Sequence, residues 1–135
     1  MTLAHLIRHS AAALLSGATL SSLVYGATPG ELEAGYSAQA GTPASAARGQ
    51  ALFTTRHGRE WSCSSCHGAV PTRAGSHAAT GKLIATLAPA FNVERFTDPA
   101  KVEKWFRRNC NDVVGRECSA AEKADVLSWL RSLRP

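Results

Sequence analysis

The fold of this chain is decided by the segment CSSCHG, Cys63–Gly68, which contains two of the four cysteines. The pattern Cys-x-x-Cys-His is typical of covalent attachment of c-type haem. In such a site Cys63 and Cys66 form thioethers with the two vinyl groups, and His67 is the proximal ligand of the iron. A thioredoxin-like redox pair would need an α/β pattern, and structural zinc would need two further ligands at suitable spacing. The segment therefore predicts one covalently bound haem c.

The side of the iron opposite His67 lacks the usual methionine ligand. Met1 is the only methionine, and it lies in a segment that we expect to be removed. Asn109 falls in the region where small cytochromes bring in their distal ligand. The residues alone leave several candidates open, namely His57, His77, a lysine, Asn109, Asn111 or no protein ligand at all.

The first 27 residues have the pattern of an export signal. They contain one arginine, Arg8, followed by a mostly apolar run and then by small residues. This predicts a secretory signal peptide over 1–27, cleaved after Ala27 or Gly26, with a retained membrane anchor as the alternative. Four cysteines in a small exported chain indicate disulfides or a covalent cofactor. We therefore predict a periplasmic cytochrome domain over 28–135, without a membrane span after processing.

The hydrophobic pattern of the remaining chain is mostly helical. A helix is predicted over 44–56, where Gly49 permits close approach and Phe53 is expected to pack on the last helix. The sequence SAAE is a capping-box pattern that starts that last helix. Residues 28–43 are predicted to form a short helical turn and a loop, and 63–90 a loop that wraps around the cofactor. No strand pattern of convincing length is present, so we predict an all-α fold.

The helix that contains Asn109 has the clearest start signals. Asp98 is a capping residue, and a proline follows it in the first turn. Val102, Phe106 and Asn109, together with a tryptophan, follow helical spacing. The pattern predicts that Asn109 projects from the middle of the apolar face, opposite a basic face formed by Lys101, Lys104 and Arg108.

The charge of the chain favours an acidic protein partner over nucleic acid. Lysine and arginine total 15 against 10 acidic residues, which gives a net charge of +5 and a pI near 9.4. Every charged residue except Arg8 lies after the predicted signal peptide. Dense Lys/Arg clusters of the kind that bind nucleic acid are absent from the sequence. The basic face Lys101, Lys104 and Arg108 could dock an acidic redox partner, or it could simply be solvated.

Six segments along the chain together resemble the sphaeroides haem protein (SHP) family. They are RGQALF, CSSCHG, TRAG, TGKLIATLAP, RFTDPAKVEKWFRRNCNDVVGREC and AEKADVLSWL, and the resemblance extends over 32–133. The RNCN segment with its following cysteine is much more specific than Cys-x-x-Cys-His. Members of this family are small, class I-like, high-spin cytochromes c that bind oxygen and other diatomic ligands.

This resemblance implies a fold, a ligand set and a partner. The fold is a class I-like cytochrome c, with a few helices wrapped around one covalent haem c. Asn109 binds ferric iron and is lost on reduction, which agrees with the preference of a hard, neutral amide oxygen for Fe(III). Cys110 and Cys118 form a disulfide. The implied electron donor is a dihaem cytochrome c or a membrane cytochrome b.

These expectations combine into one functional hypothesis with alternatives. We expect a periplasmic cytochrome that accepts electrons and binds oxygen or nitric oxide at ferrous haem after Asn109 is released. A simple electron carrier, with Asn109 bound in both oxidation states, is the main alternative. A haem with a purely structural or sensory role is another. Turnover of the gas would make the protein an oxidoreductase.

Overall fold

The computed structural model describes residues 26–135, so the predicted signal peptide lies outside the described residues apart from its last two positions. Within this part of the chain the fold is helical, as predicted, and none of its helices is long and apolar enough to cross a bilayer. The elements, in chain order, are α1 (Pro29–Ala40), α2 (Ala46–Thr54), α3 (Cys63–His67), β1 (Gly75–Ser76), β2 (Leu83–Ile84), α4 (Pro99–Val113) and α5 (Ala120–Ser132). The two short strands pair antiparallel.

Helix α1 contradicts the prediction of a short turn and a loop over residues 28–43. Its 12 residues begin at a capping box, in which Thr28 and Glu31 each bond to the other's backbone N–H. The helix ends at Gly41, whose φ of 65° is readily adopted by glycine. Because this segment has few apolar residues, its hydrophobic pattern did not predict a full helix. The capping residues at its two ends specify that helix instead.

The core lies where α2 crosses α5. At the crossing the backbones touch, because an ideal Cβ on Gly49 would lie only 1.9 Å from the carbonyl oxygen of Asp125. Phe53 stacks at a tilt on Trp129, with 4.9 Å between ring centroids, and both belong to a buried cluster with Leu130. The predicted packing of α2 on the last helix is therefore confirmed.

A buried carboxylate reinforces the same crossing. Asp125 is 5% exposed and accepts hydrogen bonds from Arg48 Nε at 2.7 Å and Arg48 Nη2 at 2.8 Å. It also accepts one from the Ser45 backbone N–H at 2.6 Å, just before α2 begins. A buried charge is tolerated when it is paired and hydrogen-bonded in this way. The start of α2 is thus fixed to the middle of α5.

A second polar cluster joins α1, α4 and α5. The buried Tyr36 hydroxyl of α1 donates to Glu103 Oε1 of α4 at 2.5 Å. Lys123 of α5 donates to the other oxygen of the same carboxylate at 2.8 Å. The Tyr36 ring also meets Phe106 edge-on, with centroids 6.0 Å apart. These contacts place α4 against α1 and α5.

Helix α4 starts as predicted and turns its apolar side to the core. Asp98 accepts the Lys101 backbone N–H, and a proline occupies the first turn. The buried residues are Val102, Cys110 and Val113, whereas Asn109 is exposed. Asn109 follows helical spacing from Val102 and Val113 but is not packed in the core, so its place in the middle of the apolar face stays a prediction.

The basic residues Lys101, Lys104 and Arg108 of α4 are exposed, on the side of the helix away from buried Val102 and Val113, as predicted. Lys104 and Arg108 flank the ring of Trp105, at 5.9 Å and 5.6 Å from its centroid. Trp105 is 43% exposed. The tryptophan and the two cations therefore share one surface of α4, beside Asn109.

Acid should weaken the start of α5 through Glu122. Its carboxylate accepts two hydrogen bonds from Arg116, at 2.7 Å and 2.8 Å, and one from the Ser119 N–H at 2.8 Å. These bonds, the Arg116 pair foremost, lower the pKa of Glu122 from 4.5 to about 2 against the opposing effect of burial. Because the pKa of Glu122 is lower in the folded protein, its carboxylate stabilises the fold fully above pH 4.5. This stabilisation is lost as the pH falls towards 2.

We expect Glu122→Gln to cost about 1 kcal/mol of unfolding free energy at neutral pH, after allowing for solvent screening, and almost nothing near the folded pKa. Urea unfolding at both pH values measures this. Glu117→Gln is the control, because the Glu117–Arg107 pair is 3.4 Å apart and both side chains are more than 60% exposed. An equal cost of Glu122→Gln at both pH values would contradict the assignment.

Candidate functional site

The two cysteines of the Cys-x-x-Cys-His motif lie on one helical turn. Helix α3 is only five residues long, and it ends at Gly68, whose φ is 81°. Residues three apart on a helix are neighbours on one surface, so Cys63 and Cys66 lie close to each other. Both are free thiols, unlike the other two cysteines, which are bonded together. Burial raises the pKa of Cys63 to about 11, so this sulfur is held as a neutral thiol.

His67 is presented at the end of the same turn as a neutral imidazole. Burial, and secondarily the charge of Arg95, lowers its pKa to about 4. A neutral ring at physiological pH keeps the nitrogen lone pair that a metal ligand requires. The ring of Phe53 lies 6.0 Å away, centroid to centroid, so the core cluster of α2 and α5 extends to His67.

The β1–β2 hairpin packs directly on the back of α3. An ideal Cβ on Gly75 would lie 2.1 Å from the Cys66 carbonyl oxygen and 3.0 Å from the His67 Cα. Beyond the strand, the Ala78 N–H donates to Cys66 Sγ at 3.2 Å. In the sequence, Gly75 is marked only as the glycine of the segment TRAG. The predicted wrapping loop thus contains a hairpin that fixes the backbone of α3.

Arg95 is a second residue that sequence analysis missed. Its half-buried guanidinium donates to the carbonyl oxygens of Ala85 and Thr86, at 2.5 Å and 2.8 Å. Burial lowers its pKa, and its charge in turn acts on His67. Arg95 therefore fixes the loop after β2 close to the metal-binding imidazole. Nothing in its local sequence distinguishes it from a solvated arginine.

An open cavity lies beside the hairpin that packs on α3. A cavity of about 630 Å³ adjoins the strand that packs on α3, and it is lined by Ala74, Leu83, Ala85, Thr86, Ala90, Phe91, Asn92, Val93 and Glu94. Leu83 is 76% exposed and Val93 is 83% exposed. With two free thiols and a neutral imidazole on one turn, the residues fit a covalently attached haem.

The histidine candidates for a distal ligand have hydrogen-bond partners nearby. His57 Nε2 lies 2.8 Å from the carbonyl oxygen of Leu52, in α2. His77 Nδ1 accepts the Ala79 backbone N–H at 3.3 Å, within the hairpin turn. Each ring therefore contacts a nearby backbone group, which makes His57 and His77 weaker candidates for the distal iron ligand.

The two asparagine candidates differ in the same respect. Asn111 donates from Nδ2 to the Arg107 carbonyl oxygen at 2.7 Å and so serves the last turn of α4. The Asn109 amide is exposed and has no hydrogen-bond partner among residues 26–135. Directly after Asn109, Cys110 forms a disulfide with Cys118, across a Cα–Cα distance of 5.6 Å. Asn109 thus has an uncommitted amide on a covalently fixed helix end.

Comparison with known proteins identifies a family and two relatives. Residues 39–130 match the family described as "domain of unknown function (DUF1924)". The chain is 56% identical to the "cytochrome c-type protein SHP" of Cereibacter sphaeroides over 107 residues, which cover 76% of this chain and 82% of that protein. It is 46% identical to "cytochrome c''" of Methylophilus methylotrophus over 78 residues, which cover 58% of this chain and 54% of that relative.

Two solved structures have the same architecture. The structure of oxidised SHP, described as an oxygen-binding cytochrome c, superposes with a TM-score of 0.76 at 53% identity and covers 80% of this chain and 99% of that chain. The crystal structure of oxidised cytochrome c'' from Methylophilus methylotrophus gives a TM-score of 0.67 at 36% identity, over 79% of this chain and 95% of that one.

Proposed function

The chain belongs to the family of DUF1924 domains and of the cytochrome c-type protein SHP, and we propose that it is a periplasmic cytochrome that binds a diatomic ligand when reduced. Its fold is that of the class I-like cytochromes c, with one covalent haem c as cofactor. We assign this cytochrome domain to residues 28–135 and a signal peptide to residues 1–27. Within the domain, Cys63 and Cys66 hold the haem through thioethers, and His67 provides the proximal nitrogen.

When bound, the haem would supply one-electron redox chemistry and an iron position that a side chain and a gas ligand would share. His67 is suited to hold the iron because its buried ring is neutral, so a nitrogen lone pair is available without the loss of a proton. The hairpin at Gly75 and the loop at Arg95 keep the backbone of α3 in place on the proximal side.

Asn109 is the side chain that we assign to the shared position. Among the histidine and asparagine candidates, its amide is the one without a protein hydrogen bond in the described region, and this observation carries the proposal. A carboxamide oxygen is a hard, neutral and weak donor, so it favours Fe(III) over Fe(II). Asn109 would hold the oxidised iron through its carboxamide oxygen and would release it without a proton transfer once a redox partner had supplied one electron. The reduced haem would then supply a binding position for oxygen or nitric oxide.

An acidic electron donor fits the charge of this surface. Among the described residues, Lys101, Lys104 and Arg108 of α4 make no ion pair with a carboxylate, and they lie on the helix that holds Asn109. Unpaired cations attract an acidic partner and speed its association. We propose a dihaem cytochrome c or a membrane cytochrome b as that donor.

The substitution Asn109→Ala tests the ligand assignment. The absorption spectrum of the oxidised variant should change, because a bound amide has been lost, while the dithionite-reduced spectrum should remain nearly that of the wild type. Carbon monoxide should bind both reduced proteins fully within mixing time. Asn111→Ala is the matched control, since it removes an amide two residues away that serves only the helix end, and its spectra should remain unchanged.

Two results would contradict the proposal, each in a different way. An unchanged oxidised spectrum of Asn109→Ala would mean that another residue, or none, holds the axial position. A low-spin reduced wild-type protein that ignores carbon monoxide would mean that the ligand stays bound in both states. The protein would then be a simple electron carrier.

A further inference from the structure

The C-terminal end of α4 is held by an arginine from a distant part of the chain. Arg59 Nη2 donates to the Asn111 carbonyl oxygen at 3.2 Å. Its guanidinium also lies against the turn that follows α4, since an ideal Cβ on Gly115 would be 3.2 Å from Arg59 Nε. The Gly115 φ of 80° turns the backbone sharply at this point. Arg59 therefore contacts the last turn of α4 on both sides of its terminus.

This contact satisfies a specific need of the helix. The last carbonyl groups of a helix have no partner within it, and a cation there also interacts favourably with the helix dipole. In α4 the Cys110 carbonyl accepts the N–H groups of Val114 and Gly115, at 2.7 Å and 3.1 Å. The Asn111 carbonyl instead accepts its hydrogen bond from Arg59.

The two segments joined in this way carry the two proposed axial ligands. Arg59 lies in the short segment between α2 and α3, four residues before Cys63 and eight before His67. The Asn111 carbonyl lies two residues after Asn109 on the opposite segment. The disulfide ties the end of α4 only to Cys118, two residues before α5 begins, so it does not connect α4 to the segment that contains His67.

We propose that Arg59 is a positioning residue for Asn109. Its hydrogen bond sets how closely the end of α4 approaches the segment that leads to α3, and thereby how well the Asn109 amide reaches the iron. Arg59 touches neither the iron nor the gas, and it acts only through the backbone of Asn111. The inference rests on the proposed role of Asn109, and the experiment below separates the two.

The test measures azide affinity for the oxidised holoprotein, because azide competes with the Asn109 amide for the same position. Arg59→Gln should bind azide about fivefold more tightly than the wild type, since the competing amide is held less well. The same change in an Asn109→Ala background should alter azide affinity less than about twofold, because no amide remains to be positioned. Arg59→Lys retains the charge and one donor, and should lie between Arg59→Gln and the wild type.

Arg56→Gln is the matched control, since it removes an exposed arginine of the same segment that makes no hydrogen bond or ion pair with residues 26–135. Its azide affinity should equal that of the wild type. Equal affinities of Arg59→Gln and Arg56→Gln would overturn the inference, as would an Arg59→Gln effect that persists in the Asn109→Ala background. If Asn109→Ala alone left azide affinity and the oxidised spectrum unchanged, the proposed function itself would fail. If Arg59→Gln does not fold, the azide affinity of Arg59→Lys is compared with that of Arg59 in the wild-type and the Asn109→Ala backgrounds. An effect of Arg59→Lys in the wild-type background alone supports the inference, and any other result overturns it.

Discussion

Replacing Gly49 with alanine is expected to cost about 3 kcal/mol of unfolding free energy, near the upper end of what overpacking usually costs. The added Cβ would lie 1.9 Å from the Asp125 carbonyl oxygen and 2.8 Å from the Val126 nitrogen, which are backbone atoms. No side-chain rotation can relieve this contact, so α2 and α5 must separate. Separation would also loosen the stacking of Phe53 on Trp129. Domains of this kind are stable by only about 5–15 kcal/mol, so the loss is large.

Gly35→Ala is the matched control for this experiment. Gly35 lies inside α1, and an added Cβ there would meet no atom within 4 Å. Alanine is favoured over glycine in a helix interior, so this variant should be more stable than the wild type by up to about 1 kcal/mol. Urea unfolding of the three holoproteins measures the difference. Similar stabilities for Gly49→Ala and Gly35→Ala would show that the helices can move apart at little cost.

Replacing Gly75 with alanine is expected to lower the yield of haem-bearing protein about tenfold, as a strained contact at the attachment site would. The added Cβ would lie 2.1 Å from the Cys66 carbonyl oxygen and 3.0 Å from the His67 Cα. The φ of Gly75 is not in the left-handed region, so alanine is disfavoured here by this contact rather than by its own conformation. Either the hairpin retreats or α3 turns, and in both cases the motif loses its position.

The haem content per protein, from absorbance of the purified protein, measures this effect. Ser76→Ala changes the next residue of β1, which is exposed, and should leave the haem content at the wild-type level. Gly75→Ala with full haem content and wild-type spectra would show that the hairpin does not constrain α3.

Features that depend on local sequence were predicted well. The start of α4 at Asp98 and the start of α5 at Ser119 are set by side chains that bond within one turn, and the sequence displays them directly. The contact of Phe53 with Trp129 was also accessible, since both lie on the apolar faces of their helices. Hydrophobic periodicity and capping together define which helices exist and which sides meet.

Features that depend on how distant segments approach were not accessible. The sequence does not reveal that Cys110 also faces the core, because the rotation of α4 is set by packing against α1 and α5. Gly75 and Arg95 act through contacts with residues 8 to 28 positions away, and no local pattern marks them. Helix α1 was missed for another reason, since its capping residues are clear but its apolar residues are few.

The pairing of the four cysteines imposes an order on biogenesis. In the proposed holoprotein, Cys110 and Cys118 give up electrons to an oxidant, whereas Cys63 and Cys66 must remain reduced until each adds across a vinyl group. All four thiols would enter the same oxidising compartment, where a premature bond within the Cys-x-x-Cys pair would block maturation. A cell that produces this protein therefore has to combine an oxidant for one pair with a reductant for the other.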